Sequence, residues 1–249
     1  MTCMSTFFHR NEKQEFFKIK HLRCVDSTND WFKSLDKDKL REGFVVVADE
    51  QTSGKGRLGR KFISPKGGLY FSILTAPKTQ DLLDKLTVIA AIAVCDAVRE
   101  VCGDDASVKW VNDVIVGGKK CSGILTETSE NLPGFAIVGI GVNIGDSVDE
   151  SLQDIACGVK DVGRDTKKKL LCAILENFKF LYCSFDKAKV VADYKARCST
   201  IGKTVRVIEN DGKEYSAVAK DFDDDCHLLV IDEQNITHCL SSGEVKILV

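Results

Sequence analysis

The feature that most limits how this chain folds is Gly54-Lys55-Gly56-Arg57-Leu58-Gly59-Arg60-Lys61, set between two β-rich runs. Phe44-Val45-Val46-Val47-Ala48 precedes it, and Gly68-Leu69-Tyr70-Phe71-Ser72-Ile73-Leu74 follows it. The glycines let backbone N–H groups approach a ligand closely, and the cations, with no acid among them, make that ligand an anion. The formal net charge of the whole chain is only −2, so this positive density is local. Gly54, Gly56 and Gly59 satisfy G-x-G-x-x-G, but that dinucleotide fingerprint has to open a helix. Here Pro65 and a second strand follow, which argues against it. The P-loop pattern fails as well, because Gly59 is followed by Arg60. Two readings stay open at this point: an anion-binding flap between strands, or a basic surface loop.

A length of 249 residues accommodates one large domain and a small one. Hydrophobic content of 44% and charged content of 29% are ordinary for a globular protein. No apolar run approaches the ~18 residues of a membrane span, and the N-terminal residues lack the apolar stretch of a secretory signal. A pI near 6.1 argues against general nucleic-acid binding. None of the 11 cysteines stands in C-x-x-C spacing, and no zinc-like pattern joins them to His9, His21, His227 or His238. They read as reduced thiols of a cytoplasmic protein, most of them small core residues.

Ser27-Thr28-Asn29 precede a short helix over Asp30–Leu35, with Ser or Thr as its N-cap. Leu82–Val101 is the strongest helix, with one wide apolar face. Ser107–Val116 reads as one β-rich run carrying Lys109, Asn112 and Asp113 in its middle, and Gly117-Gly118 signals a hairpin. Strands over Ser122–Thr128 and Phe135–Ile144 follow, which predicts an antiparallel meander rather than βαβ units. Helices are expected over Leu170–Phe185 and Ala188–Arg197. From Ile201 onward short strands recur between turns such as Asn210-Asp211-Gly212 and Asp223-Asp224-Asp225, the latter read as a solvated hairpin tip. The expected fold class is thus α+β: a mixed, largely antiparallel sheet with packed helices, then a small β-barrel. The expected boundaries are 1–19 for an N-terminal arm, 20–198 for the main domain and 199–249 for the small β-domain.

Lys109 stands inside an apolar run next to Trp110, where a lysine either snorkels to solvent or is paired. A second basic, glycine-rich segment at 54–61 favours a functional reading. Two anionic groups brought together for reaction need cations between them, and at ~4 Å with an effective dielectric near 20 one such contact is worth about 4 kcal/mol.

These residues resemble the biotin–protein ligases, the catalytic unit also found in holocarboxylase synthetases. The resemblance runs in order through Ser27-Thr28-Asn29, Gln51, Gly54–Arg60, Lys109-Trp110-Val111-Asn112-Asp113, Ser122-Gly123-Ile124-Leu125, Gly139-Ile140-Gly141-Val142-Asn143 and Ser242-Gly243-Glu244-Val245. It covers roughly residues 20–249. Lys55 stands where the family usually has arginine, Val111 where it has proline, and Phe62 where it has tryptophan. The short segment ahead of the core resembles the monofunctional ligases, without a DNA-binding domain.

The resemblance implies a class II synthetase-like core with an SH3-like barrel after it. It implies ATP and biotin as substrates, Mg²⁺ on the phosphates, and a biotin carboxyl-carrier domain as acceptor. A homodimer is compatible with it, while nucleic acid and membrane are not implied as partners. By resemblance Lys109 and Arg57 are catalytic. Ser27, Thr28, Asn29, Gln51, Gly54, Lys55, Gly56, Arg57, Lys109 and Gly123 meet biotin. Arg57, Arg60, Phe62, Asn112, Asp113 and Asn143 meet the nucleotide. A lipoate or octanoate ligase is the alternative enzyme, but the polar Ser27, Thr28 and Gln51 favour a urea-like head over an acyl tail. A non-catalytic biotin-binding module would need neither Lys109 nor Arg57.

Overall fold

A computed structural model describes residues 16–209, 212–241 and 244–248. Most of the expected N-terminal arm, Asn210-Asp211 of one turn and Ser242-Gly243 of the last motif lie outside the described residues.

The large domain is built on a seven-stranded sheet ordered β1-β2-β3-β7-β6-β5-β4. Its strands are β1 (Lys18–Val25), β2 (Phe44–Gln51), β3 (Leu69–Thr75), β4 (Ala106–Lys109), β5 (Asp113–Val116), β6 (Lys119–Thr128) and β7 (Ala136–Val142). Only β1 and β2 pair in parallel; the other neighbours are antiparallel. The meander is therefore present, but Ser107–Val116 is not one strand. It breaks at 110–112 into a tight corner between β4 and β5, within which the Trp110–Val111 peptide is cis.

Side-chain alternation divides the sheet's two faces. Val45, Val47, Phe71 and Ile73 point to the main core, whereas Val46, Leu74 and Ile137 pack on Phe32 from the opposite side. The main core is capped by α2 (Gln80–Cys102), which follows α1 (Thr28–Lys33), and by α3 (Thr166–Cys183) and α4 (Lys187–Arg197). Leu86, Ile89, Ala90, Ala93, Val94, Ala97 and Val98 of α2 are buried, as its periodicity requires. Each buried Leu, Ile or Val there contributes roughly 1.5–3 kcal/mol. Among the described residues α1 is the α-helix on the other face, where Leu40, Leu132 and Phe135 pack with it. No helix among the described residues is long and apolar enough to cross a membrane.

The C-terminal region is an antiparallel five-stranded sheet ordered β11-β10-β9-β8-β12. It comprises β8 (Thr204–Ile208), β9 (Glu214–Phe222), β10 (Leu228–Asp232), β11 (Thr237–Leu240) and β12 (Glu244–Ile247). Val205, Val207, Ala217, Ala219, Leu228, Val230 and Val245 form its interior.

The acidic turn between β9 and β10 is exposed at Asp224 and Asp225 but is more than a solvated tip. Asp225 reaches the large domain, 2.7 Å from Lys187 Nζ and 2.9 Å from Lys85 Nζ. Hydrogen bonds from Lys187 and then Lys85 pull its carboxyl down to about 2. Lys85 sits on the apolar side of α2 and is 1% exposed. Asp225→Asn should therefore lower stability by about 2–3 kcal/mol, because the buried ammonium loses its carboxylate. Urea unfolding checks this, and a loss below about 0.5 kcal/mol would mean that the pair is not a brace.

The cysteines divide differently from expectation. Cys95, Cys102, Cys121 and Cys226 are buried, whereas Cys24, Cys183 and Cys239 are exposed and the other described ones are intermediate. Burial alone did not select these positions.

Candidate active site

On the α1 side of the sheet a cavity of about 160 Å³ opens over β6 and β7. Thirteen of the residues singled out from sequence line it: Ser27, Thr28, Asn29, Gln51, Lys55, Gly56, Arg57, Arg60, Phe62, Lys109, Asn112, Asp113 and Gly123. Gly54 and Asn143 do not. Gly54 lies one step behind, where a Cβ would stand 2.3 Å from the Phe62 carbonyl oxygen, so it allows the flap to fold back on itself. Asn143 is 7% exposed; its N–H donates to the Cys121 carbonyl and its own carbonyl accepts from Val159.

One wall is polar and continuous. Ser27 caps α1 through the Asp30 N–H. Gln51 Oε1 accepts from the Thr28 N–H at 2.9 Å, and Gln51 Nε2 donates to Ser64 Oγ at 2.9 Å. Ser72 Oγ, fully buried on β3, lies 2.7 Å from Thr28 Oγ1 and 2.6 Å from Asn29 Oδ1. An amide oxygen only accepts, so Ser72 donates its single proton to Asn29, and the Thr28 hydroxyl proton lies between Ser72 Oγ and Gln51 Oε1, the latter 3.1 Å away. Asn29 Nδ2 then donates to Glu127 Oε2 at 2.8 Å, and Lys33 holds the other Glu127 oxygen at 2.8 Å. Each side chain in this chain of bonds orients the next.

The floor is cut from glycine. A Cβ on Gly139 would sit 2.4 Å from Asn29 Oδ1, and one on Gly141 would sit 2.4 Å from Phe62 Cε1. Glycine in these strands admits the close approach of another group.

The 54–61 flap is an ordered loop. Gly56 N–H donates to the Arg60 carbonyl at 2.7 Å, Phe62 N–H to the Gly54 carbonyl at 2.8 Å, and the backbones of Lys55 and Lys61 form an antiparallel β-bridge. Leu58 and Gly59 adopt φ of 56° and 72°, the left-handed conformation that ends the turn. Tyr70 Oη donates to the Pro65 carbonyl at 2.8 Å below the flap; burial raises that phenol, so it stays a neutral donor.

The cavity lining carries Lys55, Arg57, Arg60, Lys61, Lys109 and Lys120 against a single carboxylate, Asp113. Lys55 Nζ is 2.6 Å from Asp30, whose hydrogen bond raises the lysine's pKa and keeps it cationic. Lys120 Nζ contacts Asp113 Oδ1 at 2.6 Å as an ion pair rather than a directional hydrogen bond. Lys109 has no carboxylate partner among the described residues, so its charge faces the cavity uncompensated.

The corner bearing Lys109 is fixed from several sides. Trp110 N–H donates to Thr200 Oγ1 at 3.1 Å, and its indole Nε1–H donates to the Cys226 carbonyl at 3.0 Å. Tyr194 Oη donates to the Val111 carbonyl at 3.0 Å. Asn112 Nδ2 donates to Ile124 at 2.9 Å, and Arg57 Nη1 donates to Asn112 Oδ1 at 3.2 Å. Flap and corner are thereby joined. An adjoining cleft of about 460 Å³ between the large domain and the C-terminal sheet shares Arg57, Ile124 and Leu125 with the cavity.

Sequence reasoning missed Ser72, Glu127 and Lys120. Ser72 carries a legible signal, a lone hydroxyl in an otherwise apolar strand. Lys120 carries none, because a lysine after a glycine hairpin is most often solvated.

Residues 21–143 match the biotin/lipoate A/B protein ligase family. The biotin protein ligase of Aquifex aeolicus in complex with biotin and ATP is 28% identical, with a TM-score of 0.78 over 92% of this chain and 98% of that one. A mutant of the Aquifex aeolicus enzyme, in complex with biotin, is 30% identical, with a TM-score of 0.77 over 94% and 99%. The biotin–[acetyl-CoA-carboxylase] ligase of Mycobacterium tuberculosis is 28% identical over 82% of this chain and 79% of its own length.

Proposed function

Because this chain belongs to the biotin/lipoate A/B protein ligase family and is a biotin ligase, we propose that it activates biotin as biotinyl-5′-AMP and passes the biotinyl group to a carrier-domain lysine. In the first step a biotin carboxylate oxygen attacks the α-phosphorus of ATP and pyrophosphate leaves. In the second the acceptor lysine amine attacks the acyl carbon, AMP leaves and a proton is lost to solvent. The observation that carries the reading is Lys109, which lines the cavity with no carboxylate partner among the described residues, beside a flap tied to the same corner through Arg57 and Asn112.

Ser27, Thr28, Asn29 and Gln51 receive the ureido head of biotin, since their hydrogen bonds to one another set donors and acceptors along one wall. Lys109 then meets both the carboxylate and the α-phosphate and stabilises the charge that develops between them. Arg57, Arg60 and Phe62 cover the adenylate, and Asn112 shapes the nucleotide side. Asp113, whose Oδ1 meets Lys120, would offer its Oδ2 to a Mg²⁺ ion on the phosphates. When bound it neutralises charge on the departing pyrophosphate. The same reading gives residues 20–198 the catalytic role, makes 199–249 a brace for the Lys109 corner, takes a biotin carboxyl-carrier domain as acceptor and places the reaction in the cytoplasm.

Exchange of labelled pyrophosphate into ATP tests it, with biotin, lipoate or no acid added. Exchange with biotin alone is expected. Exchange with lipoate would move the substrate assignment to the other branch of the family, and no exchange with any acid would overturn the reading.

A further inference from the structure

We propose that Asp223, His227 and Cys239 form a binding site for a zinc-class divalent cation on the outer face of the C-terminal sheet. Their ligand atoms lie within 4.8 Å of one another. The sequence shows no metal-ligand spacing; the fold brings them together through strand register. Asp221 pairs with Leu229, and Leu229 with Cys239, so these three share one face of β9, β10 and β11. Steps of two residues put Asp223 and His227 on the same face. Phe222, Leu228 and Leu240 occupy the other face, in the core.

The carboxylate is already oriented for a ligand. Asp223 Oδ1 accepts from the backbone N–H groups of Asp225 and His227, each at 2.8 Å. That leaves Oδ2 directed at His227 Nδ1, 2.9 Å away, and at Cys239 Sγ, 3.6 Å away. In a tetrahedral zinc site, with Zn–O and Zn–N near 2.0–2.1 Å and Zn–S near 2.3 Å, ligand atoms stand roughly 3.3–3.7 Å apart. The observed triangle, with edges of 2.9 and 3.6 Å and the third within 4.8 Å, lies near that spacing.

The donor set selects the cation. Oxygen, imidazole nitrogen and sulfur together suit Zn²⁺ and its transition-metal relatives, while Mg²⁺ and Ca²⁺ take oxygen ligands. Three protein ligands leave the fourth position to water. The Asp223 and His227 side chains are about one-third exposed, at 33% and 35%, so an ion enters from solvent without opening the fold. On binding, the Cys239 thiol gives its proton to the buffer, and neutral His227 carries its proton on Nε2 so that Nδ1 offers a lone pair. The turn clamped in this way also presents Asp225 to Lys85 and the Cys226 carbonyl to Trp110, so the ion would fasten to β11 the same turn that braces the Lys109 corner.

The test uses the full chain, stripped with a chelator, as wild type, Cys239→Ala and His227→Gln. Zn²⁺ is titrated against a chromophoric chelator, and Co²⁺ is added separately for absorption spectra. Wild type is expected to hold one more Zn²⁺ per chain than either variant and to melt at higher temperature with Zn²⁺. Its Co²⁺ spectrum is expected to show a thiolate-to-cobalt charge-transfer band that Cys239→Ala lacks. Cys239 is exposed and, among the described residues, its sulfur bonds to Asp223, so this variant keeps the fold, which far-UV circular dichroism checks. Equal Zn²⁺ stoichiometry in wild type and Cys239→Ala, or a cobalt band that survives in the variant, would overturn the site.

Discussion

Lys109→Ala is expected to reduce biotin-dependent pyrophosphate exchange by about 10³-fold while leaving the melting temperature within a few degrees of wild type. The magnitude follows from one cation about 4 Å from developing negative charge at an effective dielectric near 20, worth about 4 kcal/mol. Other cations line the cavity, but Lys55 and Lys120 are committed to Asp30 and Asp113, so neither replaces the lost charge. The fold tolerates the change because the corner is held by Trp110, Val111 and Asn112, not by the Lys109 side chain. Steady-state exchange and a thermal melt on the same sample separate the two effects. Lys109→Arg should recover part of the activity, since it restores charge with altered reach. Exchange by Lys109→Ala within threefold of wild type would remove Lys109 from the chemistry.

Arg57→Gly is expected to let the acyl-adenylate escape about 10- to 100-fold faster, with a smaller loss in its formation. Arg57 makes the flap's hydrogen bond to Asn112, and a charged hydrogen bond of this kind contributes about 1.5–3 kcal/mol. A glycine there also adds backbone freedom beside Gly56 and Gly59, which raises the entropy lost when the flap closes. The experiment loads the enzyme with biotin and labelled ATP, removes free nucleotide and follows release of labelled adenylate. A release rate equal to wild type would show that the flap is not a lid. The Lys109 and Arg57 variants report on different steps, so their effects should be distinguishable in one assay series.

How far the fold was legible depended on how local its causes are. The α2 periodicity, the Gly117-Gly118 hairpin, the strands on both sides of the flap and the short C-terminal strands all follow from near-neighbour patterns. The corner at 110–112 was not legible as a break, because Trp110 and Val111 are good strand residues. Their exit from the strand is set by partners far along the chain, Thr200, Tyr194 and Cys226. The acidic turn misled for a similar reason. Asp223-Asp224-Asp225 looks solvated in one dimension, and only the fold shows that Asp225 meets a lysine buried in α2.

Residue types alone pointed to helix-end hydroxyls at Ser27 and Thr28, to a basic glycine loop at 54–61 that is either an anion-binding flap or a surface loop, and to a paired or snorkelling Lys109, while Gln51 entered through the family resemblance. Tertiary structure decided which of these act together. Ser72, silent in sequence, joins Thr28 to Asn29. Asn143, prominent in sequence, is not among the residues lining the cavity. Asp223, His227 and Cys239 meet although no spacing links them. The physical reason is common to all three. Backbone preference and periodicity are local and can be read along a chain, whereas contacts across strands depend on register and on which neighbour supplies the partner.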